Sequence, residues 1–234
     1  MACEIELKES VIENYIKSAL KRKKKEKIAI IMVGGPGSGK TNARIEVIEK
    51  LKMNTNDFVL VDQDIIVTRY FNNDNKCRNE VNKINDRLYQ KAYEGGYNLV
   101  YDGTGRNFDY YTKYVINKLK NAGYTTHLCI VILTNLDEAF KRINTRSENT
   151  GRHMRREFVV DAYAKLQTAI PQYLNLPCPS VDYIYLFDNT HSLKLQSVME
   201  CNGKEKIMYN HYPKKSGDIQ KSRSKSKKRS KSKK

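Results

Sequence analysis

The chain has 234 residues, of which 39% are hydrophobic and 29% charged, with a formal net charge of +17. That length fits one folded domain with small additions. No apolar run is long enough to span a membrane, and residues 1–10 are too polar and acidic for a secretory signal. The charge is concentrated at the ends. Residues 214–234 carry eleven Lys or Arg against one acid, Asp218, and residues 21–27 carry a second basic run. Such ends attract polyanions through counterion release, whatever the polyanion's sequence. The five cysteines form no C-x-x-C pair and their count is odd. This points to reduced thiols in an intracellular, cytoplasmic protein, and the Lys/Ser/Arg tail also reads as a nuclear-import or solubility segment. The four histidines have no zinc-ligand spacing with cysteines or acids.

Taken in chain order, residues 4–25 have the apolar spacing of a helix, and 28–33 form a continuous apolar run, as in a strand buried on both faces. A glycine-rich loop follows, then an amphipathic helix over 41–52. A short strand over 58–62 closes on Asp62-Gln63-Asp64, read as a turn. Residues 78–94 predict a helix stopped at Gly95-Gly96. A strand over 98–101 closes on Asp102-Gly103-Thr104-Gly105-Arg106. Next come a helix over 110–121, a strand over 127–133, a helix over 136–146, a polar loop over 147–153 and a helix over 155–170, ended by Pro171. A strand over 183–187 follows, and 193–209, turning at Asn202-Gly203, predict a small hairpin.

Strands alternating with helices predict an α/β fold: a mostly parallel sheet of the P-loop NTPase type, wrapped by helices. The expected organisation is an N-terminal helix in 1–27, a catalytic domain in 28–190, a hairpin in 191–213 and a disordered Lys/Ser/Arg-rich tail in 214–234.

Gly34-Gly35-Pro36-Gly37-Ser38-Gly39-Lys40-Thr41 matches G-x-x-x-x-G-K-[ST] without a gap, and it lies between a buried strand and an amphipathic helix. Its backbone amides and the helix N-terminus suit an anion. Lys40 would reach the β- and γ-phosphates of a nucleoside triphosphate, and Thr41 would hold Mg²⁺. The acids at 62, 64 and 102 follow strands, at the sheet edge where α/β folds bind ligands. There they would orient or deprotonate an attacking hydroxyl and support the metal; a helix cap or a solvated turn is the alternative for Asp62 and Asp64. Arg142, Arg146, Arg152, Arg155 and Arg156 form a cluster able to neutralise charge on a transferring phosphate. Tyr110-Tyr111 would shape an acceptor pocket or simply pack.

This set resembles the zeta-toxin-like P-loop kinases over about residues 28–189. The resemblance rests on the loop at 34–41, the D-x-D pair Asp62-Gln63-Asp64, the acid-Gly-Thr-x-Arg pattern at 102–106, and Arg146 and Arg152. It implies ATP as donor, Mg²⁺, and Asp64 as catalytic base. It implies Asp62, Asp102, Thr104 and Arg106 as acceptor-binding residues, with Asp102 also near the metal. Lys40, Arg106, Arg146 and Arg152 would act on the transferring phosphate. Asp102 stands where the family often has glutamate, and Gly105 where it has a bulkier apolar residue. Bacterial members phosphorylate the sugar of UDP-N-acetylglucosamine, which makes a nucleotide sugar the first acceptor to consider. The basic tail also fits a kinase for nucleic-acid 5′-hydroxyls, or a nucleic-acid-binding protein that holds nucleotide. No protein partner is indicated.

Overall fold

The computed structural model describes residues 9–20, 26–71, 77–151, 153–203 and 205–209. Their order is α1 Glu9–Ala19, β1 Ile28–Val33, α2 Lys40–Lys50, β2 Val59–Asp62, α3 Gln63–Tyr70, α4 Arg78–Glu94 and β3 Leu99–Asp102. A continuous helical stretch follows: α5 Phe108–Tyr110, a π-helical segment Tyr111–Ile116 and α6 Asn117–Asn121. Then come β4 Thr125–Ile132, α7 Leu136–Thr150, α8 Arg156–Leu174, β5 Tyr183–Asp188, β6 Lys194–Asn202 and β7 Glu205–Tyr209.

The seven strands form one sheet in the order β2-β3-β1-β4-β5-β6-β7. The first five are parallel, and β6 and β7 add antiparallel to β5. Every residue of β1 is buried, because both faces of the parallel sheet are covered. Ala29, Ile31 and Val33 face the layer that holds Tyr15 and Ile16 of α1, Ile66 of α3 and Leu88 of α4. Ile28, Ile30 and Met32 face Ala43, Val47 and Ile48 of α2. The strand order puts β1 in the middle of the five parallel strands, so the chain leaving it emerges centrally at the sheet's C-terminal edge.

The expected mixed α/β sheet is present, with differences at several boundaries. The hairpin is an integral part of the sheet, and Val198 joins the α2-side core. Asp62-Gln63-Asp64 does not turn into a loop but starts α3, with Asp62 as its N-cap accepting from the Asp64 amide at 2.8 Å. Helix α7 runs to Thr150 and is stopped by Gly151 at φ 67. Helix α8 continues through Pro171 to Leu174. The N-terminal helix is described over Glu9–Ala19; the rest of its expected range, 4–8 and 21–25, the hairpin's expected end at 210–213 and the tail at 214–234 lie outside the described residues.

The cysteines also depart from expectation. Cys178, just before β5, is bonded to Cys201 at the end of β6, with Cα atoms 5.4 Å apart. Cys77 is disulfide-bonded as well, and Cys129 is a free, buried thiol in β4. The bond ties the segment that leads into β5 to the end of β6, across a sequence separation of 23.

Asp182 fastens the opposite edge of the sheet. Its carboxylate accepts from Lys120 Nζ at 2.8 and 2.9 Å, from the Thr126 amide at 2.8 Å and from the Thr126 hydroxyl at 2.9 Å. Burial works to raise its pKa, but the bonds from Lys120 and Thr126 outweigh it and leave the carboxyl below the usual value. A depressed carboxylate stabilises the fold above its unfolded pKa, and that contribution is lost as pH falls through the folded value. Asp182→Asn is therefore expected to destabilise the fold by about 2 kcal/mol at neutral pH, the scale of hydrogen bonds to a charged group. In thermal melts, the gap to the unsubstituted protein should narrow as pH falls below about 4.

Candidate active site

The site is assembled at the C-terminal edge of the parallel strands. Chain leaving β1 turns through residues 34–39 into α2, and the loop is held from three sides. Tyr163 of α8 donates its hydroxyl to the Pro36 carbonyl at 2.9 Å. Asn189, just beyond β5, donates its amide to the Ser38 carbonyl at 2.8 Å. Arg142 of α7 reaches the Gly37 carbonyl at 3.4 Å and the Asn189 carbonyl at 3.3 Å. Two glycines are required by this packing. A Cβ on Gly35 would lie 2.5 Å from the Tyr163 ring, and one on Gly39, at φ 92, would lie 2.2 Å from Asn189 Nδ2. The amide of Gly34 donates to the Thr104 carbonyl at 3.0 Å, joining the loop to the segment that follows β3.

Lys40, the first residue of α2, folds its ammonium over the loop and donates to the carbonyls of Gly34 at 2.9 Å and Gly35 at 3.1 Å. Burial lowers its pKa, and the nearby carboxylates of Asp102, Asp64 and Asp62 pull against burial. Asp62 and Asp102 are register partners at the ends of β2 and β3. Asp64 lies in the first turn of α3 and has Arg146 of α7 at 4.0 Å. Burial raises the pKa of Asp102, opposed by Lys40 and by Arg44, whose guanidinium lies 3.1 Å from Asp102 Oδ2. A shallow pocket beside the loop is lined by Gly37, Arg142, Ile143, Arg146 and Met154.

The fold thus brings together Lys40, Asp62, Asp64, Asp102 and Arg146, five residues singled out in the sequence. Thr41 is exposed next to Lys40 on α2. Thr104 is present through its backbone bond to the loop. Arg106 is turned elsewhere: it is ion-paired with Asp161 of α8 and stacked over the Phe158 ring at 4.8 Å. Arg152 lies outside the described residues. Tyr111 is buried, with its hydroxyl over Gly103, where an added Cβ would meet it at 2.1 Å; Tyr110 is exposed.

Sequence reasoning missed Arg44, Tyr163 and Asn189. Arg44 could have been found, since it lies four residues after Lys40 and so on the same helical face. Tyr163 and Asn189 reach the loop from distant elements and leave no local signal.

The oxygen donors present, the Thr41 hydroxyl and the carboxylates, suit a hard cation such as Mg²⁺. Among the described residues no group of three or more His, Cys, Asp or Glu is arranged to hold a metal ion by itself.

The family model for the zeta toxin matches residues 13–195. No curated protein matches the chain. Solved structures match in fold. One is from the PezAT chromosomal toxin–antitoxin system of Streptococcus pneumoniae: 21% identity, 79% of this chain and 78% of that one, TM-score 0.58. Another is the AvrRxo1-ORF1:-ORF2 complex with ATP: 15% identity, 86% and 69% coverage, TM-score 0.64. A third is a putative kinase from Chloroflexus aurantiacus: 20% identity, 70% and 89% coverage, TM-score 0.51.

Proposed function

The chain belongs to the zeta toxin family and is a phosphotransferase, and we propose that it moves the γ-phosphate of ATP to a hydroxyl of a small acceptor. The observation that carries this reading is the convergence of Lys40, Asp64, Asp102 and Arg146 beside a clamped phosphate loop. An ammonium, carboxylates and a guanidinium at one strand edge supply what in-line phosphoryl transfer needs: charge neutralisation and a base.

In this reading the loop amides and Lys40 hold the β- and γ-phosphates, so Lys40 exchanges its carbonyl partners for phosphate oxygens. Asp64 accepts the proton of the acceptor hydroxyl as the oxygen attacks the γ-phosphorus and the bond to the β-phosphate bridging oxygen breaks, releasing ADP. Arg146 then moves from Asp64 toward the equatorial oxygens of the transferring group. Thr41 and Asp102 would hold Mg²⁺, which when bound would supply positive charge against the triphosphate. Asp62 caps α3 and so fixes where Asp64 sits. Arg106, on leaving Asp161, would serve the acceptor, Arg152 would act on the transferring phosphate, and Thr104 anchors the acceptor side of the loop. The catalytic unit is residues 28–190, followed by the hairpin in 191–213. An intracellular setting supplies the ATP. Among the described residues no helix is long and apolar enough to cross a membrane.

A nucleotide sugar such as UDP-N-acetylglucosamine is the first acceptor in this reading. The net charge of +17 favours a second, a nucleic-acid 5′-hydroxyl, drawn by the basic termini. Incubation with γ-labelled ATP and Mg²⁺ against nucleotide sugars and 5′-hydroxyl oligonucleotides separates them. Label on the sugar and none on the oligonucleotide is the expected outcome. Label on the oligonucleotide alone would replace the first acceptor by the second.

A further inference from the structure

The phosphate-loop helix carries a second cation that the transfer scheme leaves unused. Arg44 lies one turn beyond Lys40 on α2, so the two side chains rise from the same face. Its guanidinium meets Asp102 Oδ2 at 3.1 Å, and the two side chains are only 14% and 11% exposed. Asp102 ends β3 beside Asp62 and close to Lys40.

We propose that Arg44 is a positioning residue for phosphoryl transfer: by holding Oδ2 of Asp102 it presents Oδ1 of the same carboxylate to the cleft. The inference rests on the placement of Asp102 at the reacting site under the function proposed above. The two cations near Asp102 differ in their partners. Lys40 is engaged with the loop carbonyls of Gly34 and Gly35 and is drawn to phosphate when a nucleotide enters. Arg44 bonds no loop carbonyl, and its guanidinium is engaged with Asp102. A carboxylate taken out of water next to a triphosphate is repelled by it and, uncompensated, is costly to keep ionised. Arg44 supplies that compensation from behind and fixes the rotamer. Geometry at a reacting centre is sensitive: a misplacement of about 1 Å can cost about 10²-fold in rate.

The test uses the full chain, MgATP and the acceptor that takes γ-label in the panel above. Arg44→Ala is expected to lower kcat about 10- to 100-fold and to change KM for ATP less than about threefold. Arg44→Lys should restore much of the loss, because the contact is made through one nitrogen and an ammonium can take its place. Asp102→Asn should be impaired, and Arg44→Ala combined with it should lose little more, since both changes act through one carboxylate. Calorimetric titration with MgATP gives a readout independent of turnover, and nucleotide affinity should stay near that of the unsubstituted protein. Thermal melts of each variant identify any loss caused by unfolding. Wild-type kcat in Arg44→Ala with Asp102→Asn impaired would overturn this proposal and leave the phosphotransferase reading intact. Additive losses, or no rescue by Lys in a folded protein, would overturn it too. Wild-type kcat in Asp102→Asn, or no turnover at all in the unsubstituted protein, would remove the premise and the proposal together.

Discussion

Lys40→Ala is expected to lower phosphotransfer by about 10²–10³-fold, the scale seen when one preorganised donor is removed from a site of charge development. The side chain's bonds in this structure are to the carbonyls of Gly34 and Gly35, which belong to the loop itself. The loop is held independently by Tyr163 and Asn189. Removing a buried ammonium also removes the burial penalty that lowers its pKa. The melting temperature should therefore change by no more than a few degrees. Nucleotide affinity should fall together with turnover, because in the proposed scheme the same ammonium also holds the phosphates in the ground state. Turnover at the unsubstituted rate would show that the loop does not hold the reacting triphosphate.

Asp64→Asn is expected to lower kcat by about 10²–10⁴-fold, the usual contribution of a general base, with KM for ATP little changed. Asn keeps the shape of Asp64 and its place in the first turn of α3 while removing the charge that faces Arg146 at 4.0 Å. Asp62 provides the contrast. It accepts from the Asp64 amide, so Asp62→Asn preserves a good cap, whereas Asp62→Ala should cost about 1 kcal/mol of stability. Steady-state kinetics and melts on the three variants separate chemistry from scaffold. Unchanged kcat in Asp64→Asn would move the base elsewhere.

The parts of the fold that were legible in the sequence are those where one local signal determines the structure. The run Ile28–Val33 could only be a doubly buried strand, and the glycine loop could only connect it to a helix. Helix α3 was missed because Ile65, Ile66, Val67 and Thr68 are β-branched and poor helix formers. Burial of Ile66 and Val67 and the Asp62 cap override that propensity. The extension of α7 to Thr150 was hidden by a polar run, yet Ser147 within it is buried and bonded to His153 at 2.6 Å. Pro171 suggested a helix end; the helix instead carries it in its final turns.

The site was legible in its residue types and less so in its pairings. Asp62, Asp64, Asp102 and Lys40 converge because β1, β2 and β3 are adjacent and end at one edge, which the strand–helix alternation implies. Arg106 shares a short motif with Asp102, but the chain turns after Gly105, at φ 67, and carries the guanidinium to Asp161 and Phe158. Nothing in the linear motif encodes that partner. The Arg44–Asp102 pair spans 58 residues and becomes visible only when α2 and β3 are placed together.

In the proposed function this site transfers the terminal phosphate of a nucleotide to something other than water. The most direct measurement follows ATP labelled at the γ-position, and in parallel at the α-position, in the presence of Mg²⁺ and the acceptor panel. The γ-label is expected on a hydroxyl-bearing acceptor, the α-label is expected to stay in ADP, and Lys40→Ala should suppress the transfer. Nucleotide binding with no transfer of γ-label to any hydroxyl, or transfer of α-label, would contradict the proposed function.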